Sequence, residues 1–233
     1  METKFNKKAP RCIGIILDGN RRWAKEKGLP TFEGHNEGYE NVKRCVRWAK
    51  EVGVENLITY AFSTENWNRE EGEVSMLMKL FERMVIAEAE ELKKEEIKVL
   101  FVGQRNKFSQ KIQDGMEKLE KETTQFTEHT LAICVSYGGR AEILEAIKKV
   151  VAENEEVENL NEDEFSKYLW TKDIPDPDLI IRTGGEQRLS NFLPWQSVYS
   201  EFFFTETKWP EFSKEEFFRI LEEYSERERR RGK

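Results

Sequence analysis

Residues 12–17 of the chain form a nearly continuous apolar run that stops abruptly at Asp18-Gly19-Asn20. A run of that kind suits a strand covered on both faces, as in parallel sheets clad by helices. The same pattern recurs along the chain, with helical stretches between. Over 37–52, Tyr39, Val42, Val46 and Ala49 return at helical spacing, and Gly53 suits the helix end. Further strands are predicted at 57–62, 98–102, 130–137, 179–183 and 201–205. Amphipathic helices are predicted at 73–95, 109–122 and 140–152, the last with Ile143, Leu144, Ile147 and Val151 on one stripe. The polar stretch 153–161 reads as a surface connection, and a short helix over 165–170 precedes the turn Pro175-Asp176-Pro177. A final helix starts at Ser213, with Glu216 at the capping-box position.

Alternating strands and helices, with no internal repeat, imply an α/β fold with a mainly parallel central β-sheet flanked by helices. The 233 residues fit a single domain spanning 1–233. A net charge of −7 argues against nucleic acid as a partner, although local basic clusters can still bind phosphates. Cys12, Cys45 and Cys134 lack metal-ligand spacing and sit in apolar stretches, which suits small buried hydrophobes. No apolar run reaches the ~20 residues of a transmembrane segment, and the first residues lack the apolar core of a signal peptide, so a cytoplasmic location is expected.

Ligands of such sheets bind beyond the carboxyl ends of the strands. Three polar segments follow predicted strands: DGNRRWA at 18–24, STENWNR at 63–69 and RTGGEQRLSN at 182–191. Together they bring Arg22, Arg69, Arg182 and Arg188 to one rim, with Asn20, Asn66 and Ser190, and His35 close by. Turn formation explains Asp, Asn and Gly at strand ends, but it does not call for guanidinium groups. Such donors suit phosphate oxygens, and Gly19, Gly184 and Gly185 let backbone amides approach as well. Neither a G-x-x-x-x-G-K-[ST] loop nor a G-x-G-x-x-G turn is present, nor is there a DDxxD pair.

The motifs ILDGNRRWA at 16–24, GHNEG at 34–38, YAFSTENWNR at 60–69, SYGGR at 136–140, LIIRTGGEQRLSNFLPWQ at 179–196 and YSEFFF at 199–204 closely resemble the cis-prenyltransferase family, the undecaprenyl diphosphate synthase family. The likeness runs from about 12 to 232. It implies condensation of isopentenyl diphosphate with an allylic diphosphate such as farnesyl diphosphate, giving a Z-polyprenyl diphosphate. It also implies Mg²⁺ as cofactor, a homodimer, and peripheral membrane contact through the lipid product. By the resemblance, Asp18 is the catalytic Mg²⁺-linked aspartate and Glu201 a second metal ligand. Gly19, Asn20, Arg21, Arg22, His35 and Arg69 cradle the allylic diphosphate, with Trp23 and Trp67 near the prenyl chain or in loop packing. Ser63, Thr64 and Glu65 belong to the second substrate segment, and Arg182, Arg188, Leu189 and Ser190 to the isopentenyl diphosphate site. Asn66 stands at the position linked to condensation and proton loss. Glu73 matches a position that shapes the site, the 73–95 helix lines a product tunnel, and the ending Arg230-Arg231-Gly232 resembles a segment that reaches the partner subunit.

Two positions depart from the family pattern. Thr31 stands where an arginine usually binds the allylic diphosphate, with Arg21 as the candidate to compensate, and Gln187 replaces a frequent histidine. Two rival readings remain at this level: a phosphohydrolase opening on the same strand-end aspartate, and a non-catalytic partner subunit of a prenyltransferase complex. Asn20, where a phosphohydrolase needs a second aspartate, weighs against the first, and the retained Asp18, Asn66, Arg182, Arg188 and Glu201 against the second.

Overall fold

The computed structural model describes residues 9–87, 89–153 and 157–227. The Arg230-Arg231-Gly232 ending lies outside them, as does part of the connection predicted at 153–161. All six predicted strands form: β1 (Cys12–Ile16), β2 (Asn56–Ser63), β3 (Ile97–Val102), β4 (His129–Tyr137), β5 (Leu179–Arg182) and β6 (Glu201–Phe204). They make one sheet in the order β3-β4-β2-β1-β5-β6, with every pairing parallel. β1 is central and wholly buried, as its continuous apolar run requires.

The helices are α1 (Asn20–Glu26), α2 (Thr31–Glu51), α3 (Glu71–Ala87), α4 (Ala89–Lys94), α5 (Gln110–Thr123), α6 (Gly139–Ala152), α7 (Glu162–Ser166) and α8 (Lys214–Glu226). Two differ from expectation at the site. In the polar segment predicted to follow the first strand, Asn20 to Arg22 form the first turn of α1, so only Leu17, Asp18 and Gly19 separate it from β1. α2 begins six residues earlier than its apolar periodicity shows, because Gly34 and Gly38 press against Asn20 instead of contributing apolar side chains. At the other end of the chain, Ser213 caps α8 by accepting from the Glu216 N–H, but the Glu216 carboxylate turns to Thr205, so only half of the predicted capping box forms.

Alternation along the strands divides the core. Ile13, Ile15, Leu57, Leu131, Ile133 and Ile181 face one side, where α2, α3, α5 and α8 pack. Cys12, Ile16, Ile58, Tyr60, Cys134 and Ile180 face the other, beneath Phe192 and Leu193. Gly14 makes room for that cover, since a Cβ there would stand 3.0 Å from the Phe192 ring. The three cysteines are free and buried, and burial pushes each thiol up, as expected of structural residues. The α6 stripe behaves differently: Gly139, Glu142, Ala146 and Val150 face inward, while Leu144, Ile147 and Val151 are exposed.

Glu142 is fully buried and its carboxyl accepts from Tyr137 Oη (2.6 Å), Thr171 N (3.0 Å), Thr171 Oγ1 (2.9 Å) and Gln196 Nε2 (3.0 Å). It ties the end of β4 and the 171 turn to the segment after β5. Truncation strands those donors in the core. Glu142→Ala is expected to lower the unfolding free energy in urea by about 3 kcal/mol, with Glu142→Gln milder. A loss below about 1 kcal/mol would contradict this role for the network.

Candidate active site

β1 and β5 lie side by side where the chain connections leave the sheet in opposite directions, and their carboxyl ends open a crevice. Asp18 follows β1 and Thr183 follows β5. The Asp18 N–H donates to Thr183 Oγ1 (3.0 Å), while that hydroxyl donates to the Asp18 carbonyl (2.8 Å), so the two strand ends are stitched together. Asp18 Oδ2 then accepts from Arg182 Nη2 (2.9 Å), and Oδ1 from Arg22 Nη2 (3.2 Å). Arg182 is 4% exposed and also donates from Nη1 to Ser190 Oγ (2.8 Å) and to the Arg188 carbonyl. Its Nε is buried with no hydrogen-bond partner among the described residues. A buried guanidinium N–H without an acceptor is a donor held ready for an anion.

Glycines make this packing possible. Gly19 has φ 106°, and a Cβ there would meet Lys208 Cα at 2.9 Å; Gly184 has φ 82°, and a Cβ would meet Arg22 Nη2 at 2.7 Å. After β5 the chain turns sharply, with Ser190, Asn191 and Leu193 all at positive φ. Such backbone persists only when its surroundings determine it. Tyr60 Oη donates to the Ser190 carbonyl (3.2 Å), Asn191 Nδ2 donates to Glu65 (3.0 Å), and Gly139 N–H donates to the Asn191 carbonyl (2.9 Å).

A second cluster stands across the crevice. Glu73, in the first turn of α3 and 7% exposed, contacts His35 Nε2 (3.1 Å) and Arg69 Nη1 (2.9 Å) through Oε1, and Arg21 Nη1 (3.6 Å) through Oε2. Burial holds the His35 imidazole below its ordinary range despite the opposing pull of Glu73, so it is uncharged at neutral pH. The Asn20 amide lies against Gly38 of α2, its Oδ1 buried and without a partner among the described residues.

These groups edge two adjoining cavities. One, of about 780 Å³, is polar and lined by Asp18, Gly19, Asn20, Arg21, Arg22, Thr31, His35 and Arg69. The other, of about 600 Å³, has Asp18, Asn66, Arg69, Arg182 and Ser190 at its mouth. It then runs between α2, α3 and the sheet past Val46, Leu77, Phe81 and Leu131. A charged mouth on an apolar shaft is suited to an anionic head with a hydrocarbon tail.

Most of the site residues expected from sequence meet here, including Ser63 and Glu65 on the mouth of the apolar cavity. Several do not. Trp67 packs against Phe62 and Phe108 and donates to Ser136 Oγ (2.9 Å), and neither it nor Trp23 lines either of these two cavities. Leu189 packs on the second core cluster. The Arg188 guanidinium is exposed and paired with Glu186, and Thr64 donates to its neighbour Glu65 (3.0 Å) outside the walls. Glu201 is level with Leu179, which is level with Ile13, five residues short of Asp18 and so about 15 Å down the sheet. Its carboxylate accepts from Arg227 (2.7 Å). Within the chain, Glu201 therefore does not share a metal site with Asp18.

The structure adds Thr183, Tyr60 and Asn191, whose parts depend on contacts between distant segments. Glu73 had a legible signal, its i,i+4 spacing from Arg69. Among the described residues no cluster of three or more His, Cys, Asp or Glu side chains forms a metal cage, and no helix is long and apolar enough to cross a membrane. A single carboxylate at a phosphate-binding crevice does fit Mg²⁺, which keeps waters and takes substrate oxygens.

A family model described as "Putative undecaprenyl diphosphate synthase" matches residues 16–232. The chain is 46% identical over 226 residues to an isoprenyl transferase of Thermotoga maritima, covering 96% of this chain and 97% of that one. It is likewise 46% identical over 228 residues to an isoprenyl transferase of Fusobacterium nucleatum, covering 98% of each. Among solved structures, lavandulyl diphosphate synthase from Lavandula x intermedia in complex with dimethylallyl diphosphate superposes with a TM-score of 0.92 at 33% identity, covering 97% of this chain and 99% of that chain. The phosphohydrolase and non-catalytic readings give way to these matches. The chain belongs to the undecaprenyl diphosphate synthase family and is a prenyl-transferring enzyme.

Proposed function

We propose that the enzyme condenses isopentenyl diphosphate with an allylic diphosphate such as farnesyl diphosphate, in a Mg²⁺-dependent reaction that yields a Z-polyprenyl diphosphate. The observation that carries this reading is the pair of arginine-rich clusters at the mouth of an apolar shaft. The dimethylallyl diphosphate bound by the lavandulyl diphosphate synthase neighbour is an allylic diphosphate of the required class.

In this reading Asn20, Arg21, Arg22, His35 and Arg69 hold the allylic diphosphate, and the prenyl chain enters the shaft. Arg182 and Ser190 hold isopentenyl diphosphate, with the free Nε of Arg182 as one donor. Two diphosphates in one crevice repel each other until cations neutralise them. Bound at Asp18 and the substrate oxygens, Mg²⁺ would supply Lewis-acid stabilisation of the leaving diphosphate. The arginines share that task, since negative charge builds on the diphosphate as the allylic C1–O bond breaks. C4 of isopentenyl diphosphate bonds to C1 as the allylic C1–O bond breaks, and the proton lost from its C2 passes to the released diphosphate. Asn66 Oδ1 already accepts from Ser63 N–H (3.1 Å), so Asn66 offers its NH₂ group and orients substrate without taking the proton.

The metal set proposed here is Asp18 alone from this chain. The exposed Leu144, Ile147 and Val151 on α6 support the homodimer as a self-association face.

Incubation with Mg²⁺, farnesyl diphosphate and labelled isopentenyl diphosphate is expected to give elongated Z-products by chromatography; their absence would sink the reading. Asp18→Ala should reduce kcat/KM by about three orders of magnitude with an unchanged circular dichroism spectrum. Arg21→Gly is expected to raise the KM for the allylic substrate roughly tenfold, and adding Thr31→Arg should restore it. No change with Arg21→Gly would reject the compensation. Light scattering should find a dimer that Leu144→Asp/Ile147→Asp dissociates, and a monomeric parent protein would contradict that face.

A further inference from the structure

We infer that an ion-pair brace between α2 and α4 limits how far the hydrocarbon product can grow. This rests on the condensation reading above and goes on to assign a length-determining device.

Away from Asp18 and Arg182, the apolar cavity is lined by Val46 of α2, Met84 of α3, Leu92 of α4 and Leu131 of β4. Leu131 lies six residues before Tyr137 at the end of β4, so the shaft descends roughly 20 Å. Lys43 of α2 lines this shaft, yet its ammonium group leaves it: Nζ stands 2.7 Å from Glu40 Oε2 and 3.4 Å from Glu91 Oε2. Glu91 also accepts from Arg47 Nη2 (2.5 Å), Arg47 Nε reaches Glu95 Oε1 (3.1 Å), and Lys50 Nζ donates to the Glu95 carbonyl (2.5 Å). Three cations of α2 thus hold α4 and the residue that follows it.

Leu92 and Glu91 are neighbours on α4 with opposite tasks. Leu92 is buried and lines the shaft; Glu91 points out to α2 and receives two cations. A chain pressing on Leu92 pushes α4 away from α2, and on that side the brace opposes it. Each added CH₂ gains by leaving water, so elongation continues until the wall resists more than burial gains. Single exposed ion pairs resist weakly, but these share residues and so act together. A charged brace also has a consequence that an apolar floor lacks: salt screens it.

The test uses the full chain with Mg²⁺, farnesyl diphosphate and labelled isopentenyl diphosphate, followed by chromatography of the dephosphorylated products. Glu91→Gln keeps side-chain volume and lies off the cavity wall. It is expected to lengthen the main product by at least one C5 unit while the first condensation stays within twofold of the parent rate. Lys43→Met, which keeps the stem in the wall, should lengthen the main product likewise. The parent enzyme should shift toward longer products between 0.05 and 0.5 M NaCl, a measurement that needs no variant to fold. An unchanged distribution in both variants and across salt overturns the brace. So does lengthening by Leu92→Ala alone, which would assign the limit to apolar bulk. A parent enzyme that elongates nothing overturns the condensation reading, and the brace with it.

Discussion

The contact between Asp18 and Arg182 joins two strand ends that are 164 residues apart in sequence. β1 and β5 are adjacent, so the carboxylate after one and the guanidinium at the end of the other must meet or be buried without compensation. Burying a charge is tolerable only when it is paired and hydrogen-bonded. Arg182 meets that condition through Asp18, Ser190 and the Arg188 carbonyl. In doing so it fixes the strained turn after β5. Positioning of the strand ends and preparation for an anion are thus one arrangement.

A related economy governs the opposite wall. Arg69, Arg21 and His35 converge on Glu73, which gives the cluster an internal counter-charge before any diphosphate arrives. A diphosphate bound as proposed would compete with Glu73 and Asp18 for the same donors, which these carboxylates keep oriented without leaving a concentration of unpaired cations. Below this polar rim the wall turns apolar within about two turns of α2, from His35 to Val42. Different ends of the cavity wall thus suit the charged head and the hydrocarbon tail of the proposed prenyl diphosphate.

The strands were legible because each is short, apolar and cut off by a polar turn, and all six form where the pattern places them. The arginine-rich rim was legible for the same reason, since turn formation at strand ends does not call for guanidinium groups. Three kinds of feature were not. Arg188 and Trp67 carry the right side chains, but their directions are set by neighbours, Glu186 for one and the Phe62–Phe108 cluster for the other. Glu201 belongs to a strand whose register, invisible in sequence, places it at the far end from Asp18. The outward stripe of α6 reads like a core face, because periodicity gives the existence of an apolar side and not what covers it.

Asp18, held between Arg22 and Arg182, is proposed to couple a divalent cation to diphosphate at the end of β1. Calorimetric titration of inorganic diphosphate into the protein, with and without Mg²⁺, measures that coupling without turnover. The account predicts that Mg²⁺ tightens diphosphate binding by tenfold or more in the parent protein and that Asp18→Asn removes the enhancement while the fold persists. Equal enhancement by Mg²⁺ in both proteins would contradict it.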